Sequence, residues 1–414
     1  MTNRQIEALS AQFGTPLYVF DERVLQARAR FLRRQFPAGT SLCFAVKANP
    51  FAPHMLRGLV ERFEVCSPGE SAICQRAGIP YAKQVISGVY KTADALEPLI
   101  GTGAHFTAES PRQYALICRL AERRGTPVRL LLRLTSGNQF GMDAATIRQL
   151  IARRDAHPLV SICGLQYFSG TQKTSVKRFA RELGALDGLA LELQRDFGFS
   201  VREIEYGPGF PVDYFSADGL EAEQVLFSAC SKAIQRLQCG ASVTLEIGRS
   251  LAASCGTYLT RVVDVKRSAG QNYAILDGGI HHLTYYGQGL ALRQPLLDRY
   301  PSRTGATELW NLCGALCTVN DILVKQLPVS SLQCGDIFAF QQAGAYCMTE
   351  GPSLLLSRAL PRVAFVQADG TPILAREALP TDRLNSPTIK GDTYGTTTCY
   401  FTNSTPRHRL YQLP

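Results

Sequence analysis

The stretch Phe44-Ala45-Val46-Lys47-Ala48-Asn49-Pro50 delivers one lysine at the end of six uncharged, mostly apolar residues, 41–46. Asn49-Pro50 ends the run, and a strand closed by proline would hold Lys47 at its C-terminal mouth. A lysine against apolar walls loses hydration, which favours the neutral amine and makes it a nucleophile able to form a Schiff base. By itself the heptapeptide reads more simply as a lysine snorkelling out of a buried strand. Glu246-Ile247-Gly248-Arg249 puts a carboxylate at the end of another apolar stretch, with a cation three positions on. Alone, that is an ordinary ion pair. Ser169-Gly170-Thr171-Gln172 follows Tyr167-Phe168, and Gly207-Pro208-Gly209-Phe210-Pro211 follows Glu205-Tyr206. Glycines there let backbone N–H groups approach an anion closely, and a hydroxyl adds a donor. Glycine after a strand is commonplace, so these turns say little singly.

The elements that would position these residues follow a regular alternation. A polar helix-like piece opens the chain, and Gly14-Thr15-Pro16 turns it into an aromatic and β-branched strand ending at Phe20. The lysine strand is then followed by strand-like stretches at 63–67, 84–88, 104–108, 128–133, 162–168, 203–206 and 243–246, each with a helical or loop segment behind it. Eight such units predict a parallel (β/α)8 barrel, whose chemistry sits at the C-terminal ends of the strands. After Arg249 the texture changes to strands separated by turns, at 258–266, 273–277, 308–313, 322–327, 337–342 and 362–367, which predicts an all-β domain. The expected organisation is an N-terminal segment (1–23) packing with the β domain, a barrel (24–252), the β domain (253–379) and a loosely attached tail (380–414) rich in Thr, Asn, Ser and Pro.

Composition narrows the function classes. The 414 residues are 45% hydrophobic and 19% charged, enough for two packed domains and too apolar for a disordered chain. The net charge of +10 comes from scattered arginines on helix-like faces, with no basic stripe interleaved with aromatics, which argues against nucleic acid. No apolar run is long enough to span a bilayer. The thirteen cysteines form no Cys-x-x-Cys pair, and the polar start has no apolar signal core. Free thiols in a reducing cytoplasm fit this usage. No spaced cluster of His, Cys and carboxylates predicts a metal. His281-His282 stand as a pair, and adjacent strand residues point to opposite faces, so at most one of them would line a site.

Together these motifs resemble the fold-type III pyridoxal-phosphate (PLP) decarboxylases, the diaminopimelate, ornithine and arginine decarboxylase family on an alanine-racemase-like barrel. The likeness runs from about Pro16 to Gly370 with the motifs in family order. Residues 44–50 match the cofactor-lysine motif, 206–211 the phosphate turn and 246–249 the Glu-Pro-Gly-Arg signature; Asp277-Gly278-Gly279 matches the start of the β domain, 314–321 the cysteine loop and 343–346 the Gly-Ala-Tyr segment. The resemblance implies that Lys47 holds PLP through an aldimine. It sets Glu246 against the pyridine nitrogen, where it keeps the ring protonated to accept the electrons left by departing CO2. Thr171, Gly207, Gly209, Arg249 and Tyr346 would hold the phosphate, and Gly248 would also contact the cofactor. Glu64 and Ser67 would line the next strand end, and Phe168 takes the place of a histidine that stacks on the ring. Cys317 is the implied acid that reprotonates the carbon; in the family it comes from the partner subunit, so a homodimer is expected.

The departures concern substrate. Relatives that bind a second ammonium carry an acidic residue directly after the cysteine, where this chain has Thr318, and His281-His282 replace the Asn-Asp of diaminopimelate decarboxylases. A buried ammonium needs a charged partner. Thr318, His282 and Asp321 are therefore the candidate substrate contacts. Phe168-Ser169-Gly170-Thr171-Gln172, His281-His282 and Leu316-Cys317-Thr318 resemble a narrower branch that acts on glutamyl groups of carrier proteins or is encoded beside acyl ligases. That points to α-decarboxylation of an amino acid, free or as an aminoacyl thioester on an acidic carrier protein, in a biosynthetic pathway. The alternatives are diaminopimelate decarboxylation in lysine biosynthesis, racemisation, and a non-catalytic regulator. Racemases of this fold place an arginine at the pyridine nitrogen and use a tyrosine base, so Glu246 and Cys317 favour decarboxylation.

Overall fold

The computed structural model describes residues 1–216 and 219–387. The chain begins with a helix, Asn3–Phe13, whose first turn is closed by a reciprocal Thr2–Gln5 capping box. Gly14, at φ 74°, then turns it into strand β1 (Leu17–Asp21). Eight parallel strands follow: β2 (Ser41–Ala45), β3 (Arg62–Val65), β4 (Gln84–Ile86), β5 (His105–Ala108), β6 (Val128–Leu134), β7 (Val160–Phe168), β8 (Glu203–Gly207) and β9 (Ser242–Ile247). They close into a barrel in sequence order, β9 pairing back onto β2. All eight predicted barrel strands are present.

The register does the positioning. Ala45 of β2 stands opposite Glu64 of β3, and Cys43 stands opposite Glu246 of β9. Both glutamates are thereby brought beside the strand that leads to Lys47. The barrel strands are short and buried on both faces; Leu42 and Phe44 alternate with Cys43 and Ala45, all four at most 2% exposed. Full burial of each large apolar side chain contributes about 1.5–3 kcal/mol.

The second domain is a nine-stranded sheet. It comprises β1 with β10 (Gly256–Ser268), β11 (Gln271–Leu276), β12 (Leu297–Tyr300), β13 (Thr307–Cys313), β14 (Ile322–Ser330), β15 (Ile337–Phe340), β16 (Arg362–Val366) and β17 (Pro372–Arg376). β1 lies between β10, antiparallel, and β16, parallel. One face of that strand set meets the N-terminal helix in a small apolar core of Ile6, Leu9, Leu17, Val19 and Leu259. β12 and β17 are additions to the predicted series. Among the described residues no helix is long and apolar enough to cross a membrane, and the described cysteines are free thiols. Of the predicted tail, 380–387 holds a short turn, Asp382–Leu384; the rest lies outside the described residues.

Candidate active site

Lys47 sits two residues beyond the end of β2, on a single 3-10 turn, Val46–Ala48, that precedes Pro50. Its surroundings differ from the apolar walls expected of it. Nζ donates to Glu64 Oε2 at 2.5 Å and to Glu246 Oε1 at 3.2 Å, with Cys66 Sγ at 3.8 Å. Burial alone would lower the lysine pKa, but the Glu246 and Glu64 carboxylates outweigh it and hold the ammonium well above its ordinary value. The two carboxylates divide. Burial would raise Glu64, yet the closer contact with Lys47 draws it below its usual range; Glu246, raised by burial and by Glu64, sits above. Further inside the barrel Glu205 is fully buried, accepts from Gln166 Nε2 at 2.6 Å, and is pushed up to about 8 by burial and by Glu246. Three glutamates so close together cannot all ionise freely.

The lysine opens into a cavity of about 370 Å³ at the C-terminal end of the barrel, lined among others by Phe168, Thr171, Gly209, Glu246, Arg249 and Tyr346. Arg249 ignores Glu246, so the simple ion pair within 246–249 does not form. Its guanidinium donates to Tyr214 Oη at 2.7 Å and Thr171 Oγ1 at 3.3 Å, under the rings of Tyr346 (4.5 Å) and Tyr286 (4.9 Å). Among the described residues that leaves a buried cation with no carboxylate partner, facing the cavity. Gly209, at φ 61°, has no room for a side chain: a Cβ would stand 2.1 Å from Gly170 O. A Cβ on Gly248 would be wedged 3.0 Å from Ala48 Cβ and 3.4 Å from Tyr346 Oη. Tyr346 itself is held at φ 65°, its N–H bonded to Ala48 O at 2.7 Å. Its phenol is pushed up to about 12 by burial, against the pull of Lys47 and Arg249, and so stays a donor. An uncompensated arginine, a threonine hydroxyl and two glycine turns fit a phosphate. A lysine between carboxylates at the far side of the same cavity fits a pyridoxal ring. The residues present therefore suit PLP.

Other predicted residues lie elsewhere. Ser67 is exposed and caps the helix Pro68–Arg76, its Oγ accepting from Glu70 N; Cys66, one residue earlier, is the neighbour of Lys47. Gly207 backs the cavity, since its Cβ would meet Phe168 Cδ2 at 2.5 Å. His281 and His282 are on a turn, so the alternation argument does not apply to them. Their rings pack together at 3.8 Å, and His282 is fixed by Tyr258 Oη (3.0 Å) and Ala359 O (2.9 Å) rather than turned to the cavity. Asp321 is a strut for the cysteine loop: it is 2% exposed and accepts from Leu316 N (2.7 Å) and Ile280 N (2.8 Å). That strut leaves Cys317 exposed and Thr318 half-buried on the surface, outside the cavity. Missing from the predicted set are Tyr214, Tyr286 and Glu350, none of which carries a motif, and the buried Arg133–Glu109 pair (3.0 Å), whose cation draws down both Glu64 and Glu246.

Residues 17–344 match the family described as pyridoxal-dependent decarboxylase, C-terminal sheet domain. Among curated proteins the chain is 26% identical over 385 residues to the L-glutamyl-[BtrI acyl-carrier protein] decarboxylase of Niallia circulans, covering 86% of this chain and 90% of that one. It is 29% identical over 364 residues to the diaminopimelate decarboxylase of Pseudomonas aeruginosa, covering 82% and 85%. Among solved structures, diaminopimelate decarboxylase from M. jannaschii shares the fold with a TM-score of 0.82 at 22% identity, over 93% of this chain and 94% of that one. The Helicobacter pylori enzyme complexed with L-lysine gives 0.81 at 20% identity, over 92% and 98%. With the barrel, the sheet domain and a cavity suited to PLP in place, the chain belongs to the pyridoxal-dependent decarboxylases of the diaminopimelate and ornithine decarboxylase family.

Proposed function

We propose that the enzyme removes the α-carboxylate of an amino acid with no free distal ammonium, and that the fitting form is an aminoacyl thioester on an acidic carrier protein in a biosynthetic pathway. The observation that carries this is Thr318, an uncharged residue directly after Cys317 where a diamino substrate needs a carboxylate. The likeness to a glutamyl-carrier-protein decarboxylase supports it. When bound, PLP supplies the sink for the electron pair that CO2 leaves behind. Lys47 must lose a proton to act as a nucleophile, and Glu64 and Glu246, both in contact with Nζ, are placed to take it. Glu246 is the residue for the ring nitrogen, and its raised pKa suits a group that shares a proton. Arg249, Thr171 and Tyr346, with the Gly209 turn, hold the phosphate, while Phe168 walls the ring. Cys317 serves as the acid of a neighbouring protomer's site, which makes a homodimer the working form.

A second reading, diaminopimelate as substrate, rests on Glu350, a carboxylate that lines the cavity. One assay separates the two. CO2 release is measured from a glutamyl-loaded acidic carrier protein, free glutamate and free diaminopimelate. The proposal expects kcat/KM on the loaded carrier to exceed that on either free amino acid by at least about 100-fold, the scale of discrimination that even small differences in pocket contacts give. Faster turnover of diaminopimelate would overturn it in favour of the second reading.

A further inference from the structure

Behind the cavity lies a buried ionic cluster that the cofactor motifs do not include. Lys173 has a side chain with no exposed surface; its Nζ pairs with Glu182 Oε2 at 2.9 Å and donates to Gly207 O at 3.2 Å. The backbone N–H of the same residue donates to Gly209 O at 2.9 Å. The ammonium also stands 5.8 Å from the Phe168 ring centre and 5.2 Å from that of Tyr206. Glu182, on the helix Val176–Phe197, gathers four donors: Ser169 Oγ (2.5 Å), Tyr206 Oη (2.6 Å), Arg178 Nε (2.7 Å) and Lys173. Burial opposes its charge, but these donors carry it down to about 2, so it is a carboxylate at any working pH. Two cations and one carboxylate leave a positive balance behind the turns at 169–173 and 207–209. Those are the two turns that present Thr171 and Gly209 to the cavity.

We infer that Lys173 is a positioning residue for the cofactor's phosphate: its buried ammonium and backbone N–H draw the 169–173 turn onto the 207–209 turn and set the cradle those turns form. The inference rests on the reading of the cavity as a PLP site. Lys173 does not itself line the cavity; it acts through Gly207, Gly209 and Phe168. Replacing a buried ion pair by uncharged groups of similar volume is often neutral for stability, so substitution can separate support of the fold from support of the cradle.

The full chain stripped of cofactor is titrated with PLP and, separately, with pyridoxal lacking the phosphate, for the wild type, Lys173→Met and Lys173→Met/Glu182→Gln. The expected result is a rise in the PLP dissociation constant of at least about tenfold in both variants, while that for pyridoxal changes by no more than about twofold. The double variant, which leaves no unpaired buried carboxylate, recovers the thermal midpoint lost by Lys173→Met without recovering PLP affinity. If Lys173→Met does not fold, the double variant alone carries the comparison. Equal losses for PLP and pyridoxal, or PLP affinity restored along with the midpoint, would show that Lys173 merely supports the fold and would overturn the inference. A wild type that takes up no PLP overturns instead the cofactor reading on which the inference stands.

Discussion

At the scale of the residue, the chemistry turns on one ammonium between two carboxylates. Two unit charges 4 Å apart interact by about 4 kcal/mol at an effective dielectric near 20, so contacts of 2.5 and 3.2 Å hold Lys47 charged against the cost of burial. A nucleophilic role for Lys47 would therefore need proton transfer to a neighbour, since the lysine is held between carboxylates and not against apolar walls. Cys317 is the residue whose role depends most on assembly. It is exposed in its own protomer and lies outside that protomer's cavity. If it is the acid of a neighbouring site, Cys317→Ala slows turnover by about 100-fold, the usual loss for a general acid, and diverts part of the proton from product to cofactor. Unchanged rate and product partition, followed by product analysis over many turnovers, would remove that role.

At the scale of the element, strand ends and turns do the work. Gly209 is the most constrained of them, with a positive φ and Gly170 O 2.1 Å from where a Cβ would sit. Gly209→Ala must push the 207–209 and 169–173 turns apart. It is expected to cost about 1–3 kcal/mol of stability and to weaken PLP binding, both read from thermal unfolding with and without cofactor; an unchanged cofactor-induced shift in midpoint would contradict the assignment. The barrel strands were legible because they recur as short, largely apolar or β-branched stretches alternating with helical segments, even where β6 and β8 carry charges. β12 and β17 were not: Leu297–Tyr300 is a half-buried mixture of residue types, and Pro372–Arg376 begins with proline and has no fully buried residue. The candidate site was legible where motif residues come together in space, as at Lys47, Glu246, Arg249 and Gly209, which line one cavity. It was illegible where tertiary structure decides orientation. His282 and Asp321 have reactive side chains but spend them on Tyr258, Ala359 and loop amides, and nothing in the local sequence distinguishes those uses from substrate binding. Ser67 was spent likewise, on a helix cap.

At the scale of the whole molecule, the sheet domain carries a pH liability of its own. Burial, aided by the neighbouring His282 and Arg358, lowers the His281 pKa to about 3; burial also lowers that of His282 to about 4, although the Ala359 carbonyl opposes it. Both folded values lie below the 6.5 of an unfolded imidazole, so the unfolded chain binds more protons as pH falls. Stability from this pair is fully present above about pH 6.5 and is lost as pH drops toward 4 and then 3, on the order of 3 kcal/mol for each. His281→Phe, which also removes a buried Nδ1 with no hydrogen-bond partner, should flatten the fall in thermal midpoint between pH 6.5 and 4; a midpoint that falls as steeply as wild type would contradict this. The barrel and sheet domain meet the chemistry at Tyr346, which the sheet domain's loop inserts against Ala48 beside the lysine. Everything in this account converges on that lysine. The most direct measurement compares wild type and Lys47→Ala, each incubated with PLP, for the visible absorbance of bound cofactor and for CO2 released from the preferred substrate. The account predicts a bound-cofactor band and steady CO2 release in wild type, with the band altered and release at background in Lys47→Ala. Substantial CO2 release by Lys47→Ala would contradict it.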